Sequence, residues 1–292
     1  MSTIIKPYGY YGGKNRMLDP ILTLLPPAEI YLEPFMGSAV VLLNSEHHNK
    51  EIINDMGENI VHLMRTIADN ERSECLKDRL QELGASREMF KWAKEHEKNG
   101  YVGLDDVERA ACTYITISQS FNTNRKAYSS SKEKNMLHYY MEVENDITNT
   151  NERLQGVEIL NEDGIALLDR FKENESAVAF LDPPYRPDLR GKGATNIYPN
   201  EMSEEEHIRL LETIKDAKCK IMLCGYRTKE GVDLYDKYLL TNDKWRCYKL
   251  ADVPKACQNK EVKEIAEEFI WVNYDLPHYA KYYISMKQYS SL

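Results

Sequence analysis

Tyr31-Leu32-Glu33-Pro34-Phe35-Met36-Gly37-Ser38-Ala39-Val40-Val41 reads as a strand, a tight turn of small residues and the opening of a helix. Such a turn lets backbone approach a ligand closely and points spare N–H groups at it, which is how doubly wound α/β folds hold nucleotides. Eighteen residues after Gly37 stands Asp55, at the end of the short strand-like run Glu51-Ile52-Ile53-Asn54. An acidic residue at about that spacing binds ribose hydroxyls. Taken singly, Gly37 and Ala39 also fit plain helix–strand packing, and Asp55 fits a helix N-cap before Met56-Gly57-Glu58-Asn59. Their order together favours a ligand.

Outward from this stretch the chain alternates. A helix is predicted around Asn59–Ala68, and after Gly156 come a strand at Val157–Leu160, a helix at Ile165–Phe171, a strand at Ala177–Leu181, a helix at Glu204–Ala217 and a strand at Lys220–Cys224. Trp245–Leu250 and Phe269–Tyr274 read as a closing hairpin joined by a long charged connection. Between about Glu71 and Asn151 the pattern changes to charged and helix-periodic, with Leu76, Leu80 and Leu83 on one face and a buried helix at Val107–Ser118. The polar, basic stretch Phe121–Lys132 suits a loop or hairpin laid along a groove. We therefore expect residues 71–151 to be an insert in a domain made of 1–70 and 152–292.

Behind the apolar run Ala177–Leu181 comes Asp182-Pro183-Pro184-Tyr185. An amino nitrogen conjugated to a heterocycle is a poor nucleophile, so an enzyme that methylates it must accept its hydrogens. Asp182 is one acceptor. Two consecutive prolines fix φ and leave the Pro183 carbonyl without a competing donor, and Tyr185 offers a ring to stack on the base. A flipped adenine fits such a clamp. A plain Pro-Pro turn with a solvated aspartate is the alternative for these four residues alone.

The order Tyr11-Gly12-Gly13-Lys14, Glu33-Pro34-Phe35-Met36-Gly37-Ser38, Asn54-Asp55, Asp182-Pro183-Pro184-Tyr185 resembles the Dam-type adenine-specific DNA methyltransferases over nearly the whole chain. The resemblance implies a Rossmann-like, doubly wound, mostly parallel sheet with a helical target-recognition insert, and transfer of methyl from S-adenosylmethionine to the exocyclic amino group of adenine in double-stranded DNA. It assigns Tyr10, Gly12, Gly13, Lys14, Glu33, Pro34, Phe35, Gly37, Ser38, Asp55 and Asp163 to the S-adenosylmethionine pocket, and Asp182, Pro183 and Tyr185 to the target base. Ala39 stands where many members have a second glycine, and Tyr10 where some have tryptophan, so cofactor affinity is expected to change and not to vanish.

Composition fits. A chain of 292 residues holds one large domain plus an insert. A net charge of −9 excludes a protein that coats DNA non-specifically, so a DNA surface must be locally basic. Arg125, Lys126, Lys132 and Lys134 form one such place and Arg186, Arg190 and Lys192 another. Asn122, Asn124 and Arg125 are the candidates for base edges. Six scattered cysteines with no Cys-x-x-Cys pair suggest neither a metal site nor a disulfide framework, and hence a reducing cytoplasm. The N-terminus lacks a signal-like apolar core, and no stretch nears the ~20 apolar residues of a membrane span. A monomer with a restriction endonuclease as candidate counterpart is the expectation for partners. The rival functions are an RNA or protein-side-chain amino methyltransferase and a catalytically silent DNA-binding module. A nicotinamide dehydrogenase would want a fuller Gly-x-Gly-x-x-Gly.

Overall fold

Every residue of Ala177–Leu181 is apolar, as a strand covered on both faces requires, and every one is buried in the computed structural model. The structure describes residues 4–10, 12–189, 201–228, 232–254, 265–280 and 284. Tyr11, Arg190, Lys192 and Cys257 lie outside the described residues. Among the described residues the strands are β1 (Ile30–Glu33), β2 (Lys50–Asn54), β3 (Glu158–Leu160), β4 (Ala177–Leu181), β5 (Lys220–Tyr226), β6 (Arg246–Pro254) and β7 (Ile265–Val272). They form one sheet in the order β3-β2-β1-β4-β5-β7-β6. β1, β4 and β5 run parallel, β7 is antiparallel to β5, and β6 to β7. The mixed α/β sheet expected from the alternation is therefore present.

The chain divides into two compact units, one of Met1–Asn15, Met36–Glu46 and Ile53–Asn161, the other of Arg16–Phe35, His47–Ile52 and Glu162–Leu292. In the second unit, α1 is Leu18–Leu24, α9 Gly164–Phe171, α10 Glu204–Ile214 and α11 Leu234–Leu239, and in the first unit α2 is Val40–Asn44 and α3 Glu58–Ala68. Around β4 and β5 of the second unit, Tyr31, Leu32, Phe180, Ile221, Leu211 and Trp271 are fully or almost fully buried. Ser203 and Glu206 make a reciprocal capping box that starts α10. The closing hairpin is longer than its apolar cores predict. Lys249 pairs with Glu267 across the ladder at 2.7 Å and with Asp252 of its own strand at 2.8 Å, so part of the charged connection is strand, held partly by charge across the ladder.

The first unit also carries α4 (Asn70–Leu83), α5 (Arg87–Lys98), α6 (Asp106–Ser118), α7 (Ser131–Lys134) and α8 (Met136–Leu154). Asp69, Ser86 and Asp105 cap α4, α5 and α6 by accepting from Arg72, Met89 and Glu108 N–H. Leu76 and Leu80 are buried as their spacing predicts. Lys77 is buried beside them, its ammonium on Glu144 and Thr148 of α8 at 3.0 Å each. The stretch Phe121–Lys132 is a 3₁₀ turn at Phe121–Thr123, a single antiparallel bridge between Ser120 and Tyr128, and the start of α7. Within the helix-periodic stretch Glu71–Asn151, α8 is not singled out by its spacing, because its apolar positions Tyr139, Val143, Ile147 and Leu154 are spread among polar ones.

Candidate active site

Parallel pairing with Ile30 opposite Ala177 and Leu32 opposite Ala179 brings the carboxyl ends of β1 and β4 to the same edge of the sheet. Here the strand order reverses, with β2 on one side of β1 and β4 on the other. Open α/β sheets bind ligands outside the strand ends at such a reversal. Glu33-Pro34-Phe35 leaves β1 there, and Asp182-Pro183-Pro184-Tyr185 leaves β4. Asp182 is half-buried and Pro183 buried. The Tyr185 ring is 8% exposed, and its hydroxyl donates to Glu268 Oε2 at 2.6 Å. Burial pushes that hydroxyl well above its ordinary pKa, so it stays a donor. The ring meets Tyr226 edge-on, with centroids 4.6 Å apart and planes at 70°.

Two further residues of this unit are set by packing. Gly164 opens α9 under the β1 turn, where an added Cβ would lie 2.8 Å from the Pro34 carbonyl oxygen and 3.1 Å from the Phe35 ring. Only glycine lets that ring settle there. Asp163 caps α9, accepting from Ile165 and Ala166 N–H, and pairs with Arg209. Burial opposes its charge, yet Arg209 and the two amides outweigh burial and hold the carboxyl below its usual range. Glu33 is 2% exposed and accepts from the Tyr31 hydroxyl at 2.9 Å. Arg186, expected to face DNA, is bound by Asp188 through two hydrogen bonds of 3.2 and 2.7 Å and lies 3.7 Å from Asp233.

The first unit assembles the glycine turn. Gly37 sits at φ +50°, and its N–H donates to Asp55 Oδ2 at 3.1 Å while its carbonyl accepts from the Tyr8 hydroxyl at 3.1 Å. The other carboxylate oxygen of Asp55 accepts from Gly57 N–H at 2.7 Å. Burial raises the Asp55 carboxyl in spite of both amides. The helix cap of α3 is Gly57 and not Asp55. Ala39 opens α2 at φ +52°, a conformation that an L-residue rarely takes. Ser38 and Lys14 are buried at 3% exposure, with the Lys14 ammonium on the Gly12 carbonyl at 3.2 Å. Gly12 has φ +77°, and Gly13 N–H closes a turn onto the Tyr10 carbonyl at 3.0 Å.

Also in this unit, Asn122, Thr123 and Arg125 have φ of +49°, +53° and +57°. Thr123 packs so closely on Gly9 that a Cβ there would lie 3.0 Å from its methyl group. Asn124 Oδ1 accepts from Lys126 N–H at 2.8 Å. Arg125 pairs with Glu97 and Lys132 with Glu142, and the residues Asn122, Lys126 and Lys134 are exposed. No helix among the described residues is long and apolar enough to cross a membrane.

The sequence profile of the D12 class N6 adenine-specific DNA methyltransferases matches residues 10–248. The chain belongs to that family. It is 26% identical over 216 residues to a DNA N-6-adenine-methyltransferase of Escherichia phage P1, a stretch that is 72% of this chain and 28% of that protein. It is 24% identical over 228 residues to the type II methyltransferase M.MjaIII of Methanocaldococcus jannaschii, covering 70% of this chain and 78% of the relative. The chain thus spans little more than a quarter of the phage relative's length. As a methyltransferase family the D12 class requires a methyl donor. Motif reading missed Tyr8, Gly164, Arg209, Tyr226 and Glu268. None lies in a local pattern that names a role, and each is identified only by the partner it meets.

Proposed function

We propose that this chain transfers the methyl group of S-adenosylmethionine to the exocyclic amino group of a flipped adenine in double-stranded DNA. The carrying observation is Asp182-Pro183-Pro184-Tyr185 at the carboxyl end of β4, beside β1 at the strand reversal, in a chain that the family profile spans. The chemistry of the groups present fits the donor. In the first unit the Asp55 carboxylate, held by the Gly37 and Gly57 amides, stands at the glycine turn, with the Tyr10 ring against Gly37. In the second, Phe35 over Gly164 and the carboxylate of Asp163 offer the aromatic face and acceptor that an adenosine needs. Gly12, Gly13, Lys14 and Ser38 in the first unit, and Glu33 and Pro34 in the second, are the remaining residues that this reading assigns to the donor.

The donor supplies an electrophilic methyl on a sulfonium, so no strong general base is required. Asp182 accepts one hydrogen of the amino group and the Pro183 carbonyl the other, stabilising positive charge as it grows on nitrogen. Tyr185 supplies the stacking face. Residues 71–151 read the target, with Asn122, Asn124 and Arg125 at base edges and Lys126, Lys132 and Lys134 on phosphates, while Arg186, in the loop after the clamp, takes a further phosphate. The protein works as a cytoplasmic monomer, and a restriction endonuclease is its candidate counterpart. Methylation of RNA or of a protein side chain is not favoured, because the matching family is defined by DNA adenine.

The test is expression in cells that lack adenine methylation, followed by mapping of N6-methyladenine. Methylated adenines at one short site support the reading, and unmethylated DNA refutes it. Asp182→Ala abolishes the marks while S-adenosylmethionine affinity stays within about tenfold, since Asp182 faces the base and not the donor. Asp182→Asn fails too, because an amide presents an N–H where an acceptor is needed.

A further inference from the structure

The carboxylate of Glu268 is buried on β7 at 4% exposure, opposite Tyr226 of β5 and Ala251 of β6. Burying a carboxylate on a strand costs folding free energy that an apolar side chain of similar volume would not. The Glu268 bond to the Tyr185 hydroxyl spans 83 positions of sequence. Beside Glu268 on the same face of the sheet, Tyr226 meets the same ring edge-on. Two neighbours from two strands therefore fix one ring, and that ring is the last residue of the clamp.

We propose that Glu268 is a positioning residue for methyl transfer, orienting the Tyr185 ring so that its face is ready for the extruded base; this rests on the adenine methyltransferase reading above. The bond to Glu268 limits rotation of the ring. A tyrosine held only by its backbone turns freely about χ1 and χ2, and a base stacked on a turning ring does not keep its amino group on Asp182. A hydroxyl bonded to a buried acceptor removes that freedom before substrate arrives.

Glu268→Gln, Glu268→Leu, Tyr185→Phe and the Tyr185→Phe/Glu268→Leu double variant of the full chain test it. Each is measured in single-turnover methylation of a duplex carrying the site found by methylome mapping. Each is measured again with 2-aminopurine at the target, whose fluorescence is quenched when the extruded base stacks on a fixed ring. Glu268→Leu and Tyr185→Phe are each expected to slow transfer roughly ten- to hundredfold with donor and DNA affinity within about threefold, and to leave 2-aminopurine brighter than in wild type. Glu268→Gln, whose amide oxygen still accepts, should recover to within about fivefold of wild type. The double variant should be no slower than the slower single one, because both remove the same bond.

Wild-type transfer rate and quenching in Tyr185→Phe, or fully additive losses in the double variant, overturn the proposal. If Glu268→Leu does not fold, Tyr185→Phe and Glu268→Gln decide it alone. A wild-type chain inert on DNA adenine overturns the function and this inference together, whereas an active wild type indifferent to these changes overturns only this inference.

Discussion

Gly37→Ala separates backbone strain from steric conflict, because the chain contains its own control two residues on. Gly37 and Ala39 both lie in the left-handed region, at φ +50° and +52°. That conformation costs an L-residue roughly 1–2 kcal/mol, and replacing glycine narrows the unfolded ensemble, which offsets about 0.4–1 kcal/mol. On backbone terms alone Gly37→Ala should destabilise by roughly 1 kcal/mol or less, and Ala39→Gly should be neutral or slightly stabilising. Position 37 differs in its surroundings. An added Cβ would lie 2.8 Å from Tyr10 Cε1 and 2.9 Å from Cδ1, where ordinary contact begins at 3.4 Å. The ring must recede by about 0.6 Å, or the turn that offers the Gly37 amide must shift instead. We expect Gly37→Ala to lose roughly 2 kcal/mol in all, or about 4–8 °C in melting temperature, and to weaken S-adenosylmethionine about tenfold or more by calorimetric titration. In a Tyr10→Ala background the same substitution should cost only the backbone part. If Gly37→Ala melts and binds the donor as wild type does, Tyr10 does not cover the turn and its place in the donor site is wrong.

Asp55→Ala takes the acceptor from two glycine amides at once. Donor affinity should fall roughly ten- to hundredfold, and an unchanged dissociation constant in calorimetry would reduce Asp55 to a structural link between Gly37 and Gly57. Burial lifts the Asp146 carboxyl to about 6, with Glu142 acting in the same direction and Lys6, Lys132 and His138 against it. A raised folded value makes the folded state the better proton binder, so this group's contribution is complete below about pH 4 and lost as pH rises through about 6. Asp146→Asn should flatten the melting temperature across that window and raise it at neutral pH; a curve parallel to wild type would contradict this. Removing Lys132 and Lys134 together should weaken DNA binding about equally on all sequences and flatten the salt dependence by about one unit of slope per lost phosphate contact. Changing Asn122, Asn124 or Arg125 should relax site choice by ~1–3 kcal/mol per lost bidentate contact. Variants that all keep the wild-type methylome and salt slope would remove this loop from target reading.

Local sequence carried the elements whose signals fit inside a short window. The all-apolar run before Asp182 specifies a covered strand, the small-residue turn after Glu33 specifies strand–turn–helix, and Ser203 with Glu206 marks the start of α10, because periodicity, φ limits and cap hydrogen bonds act within a few residues. The extent of β6 and β7 was not legible in that way, since the charged residues Asp252 and Glu267 look like loop until Lys249 bonds both. Tertiary structure alone decided which polar groups meet. Glu268 reaches Tyr185, Arg209 reaches Asp163, and Glu97 holds Arg125 within its loop. A carboxylate taken from water must find a donor or cation wherever the packed chain provides one, and sequence distance does not constrain that choice. Ala39 shows the converse, a residue whose left-handed backbone no propensity favours, held there by Met36 and the first turn of α2.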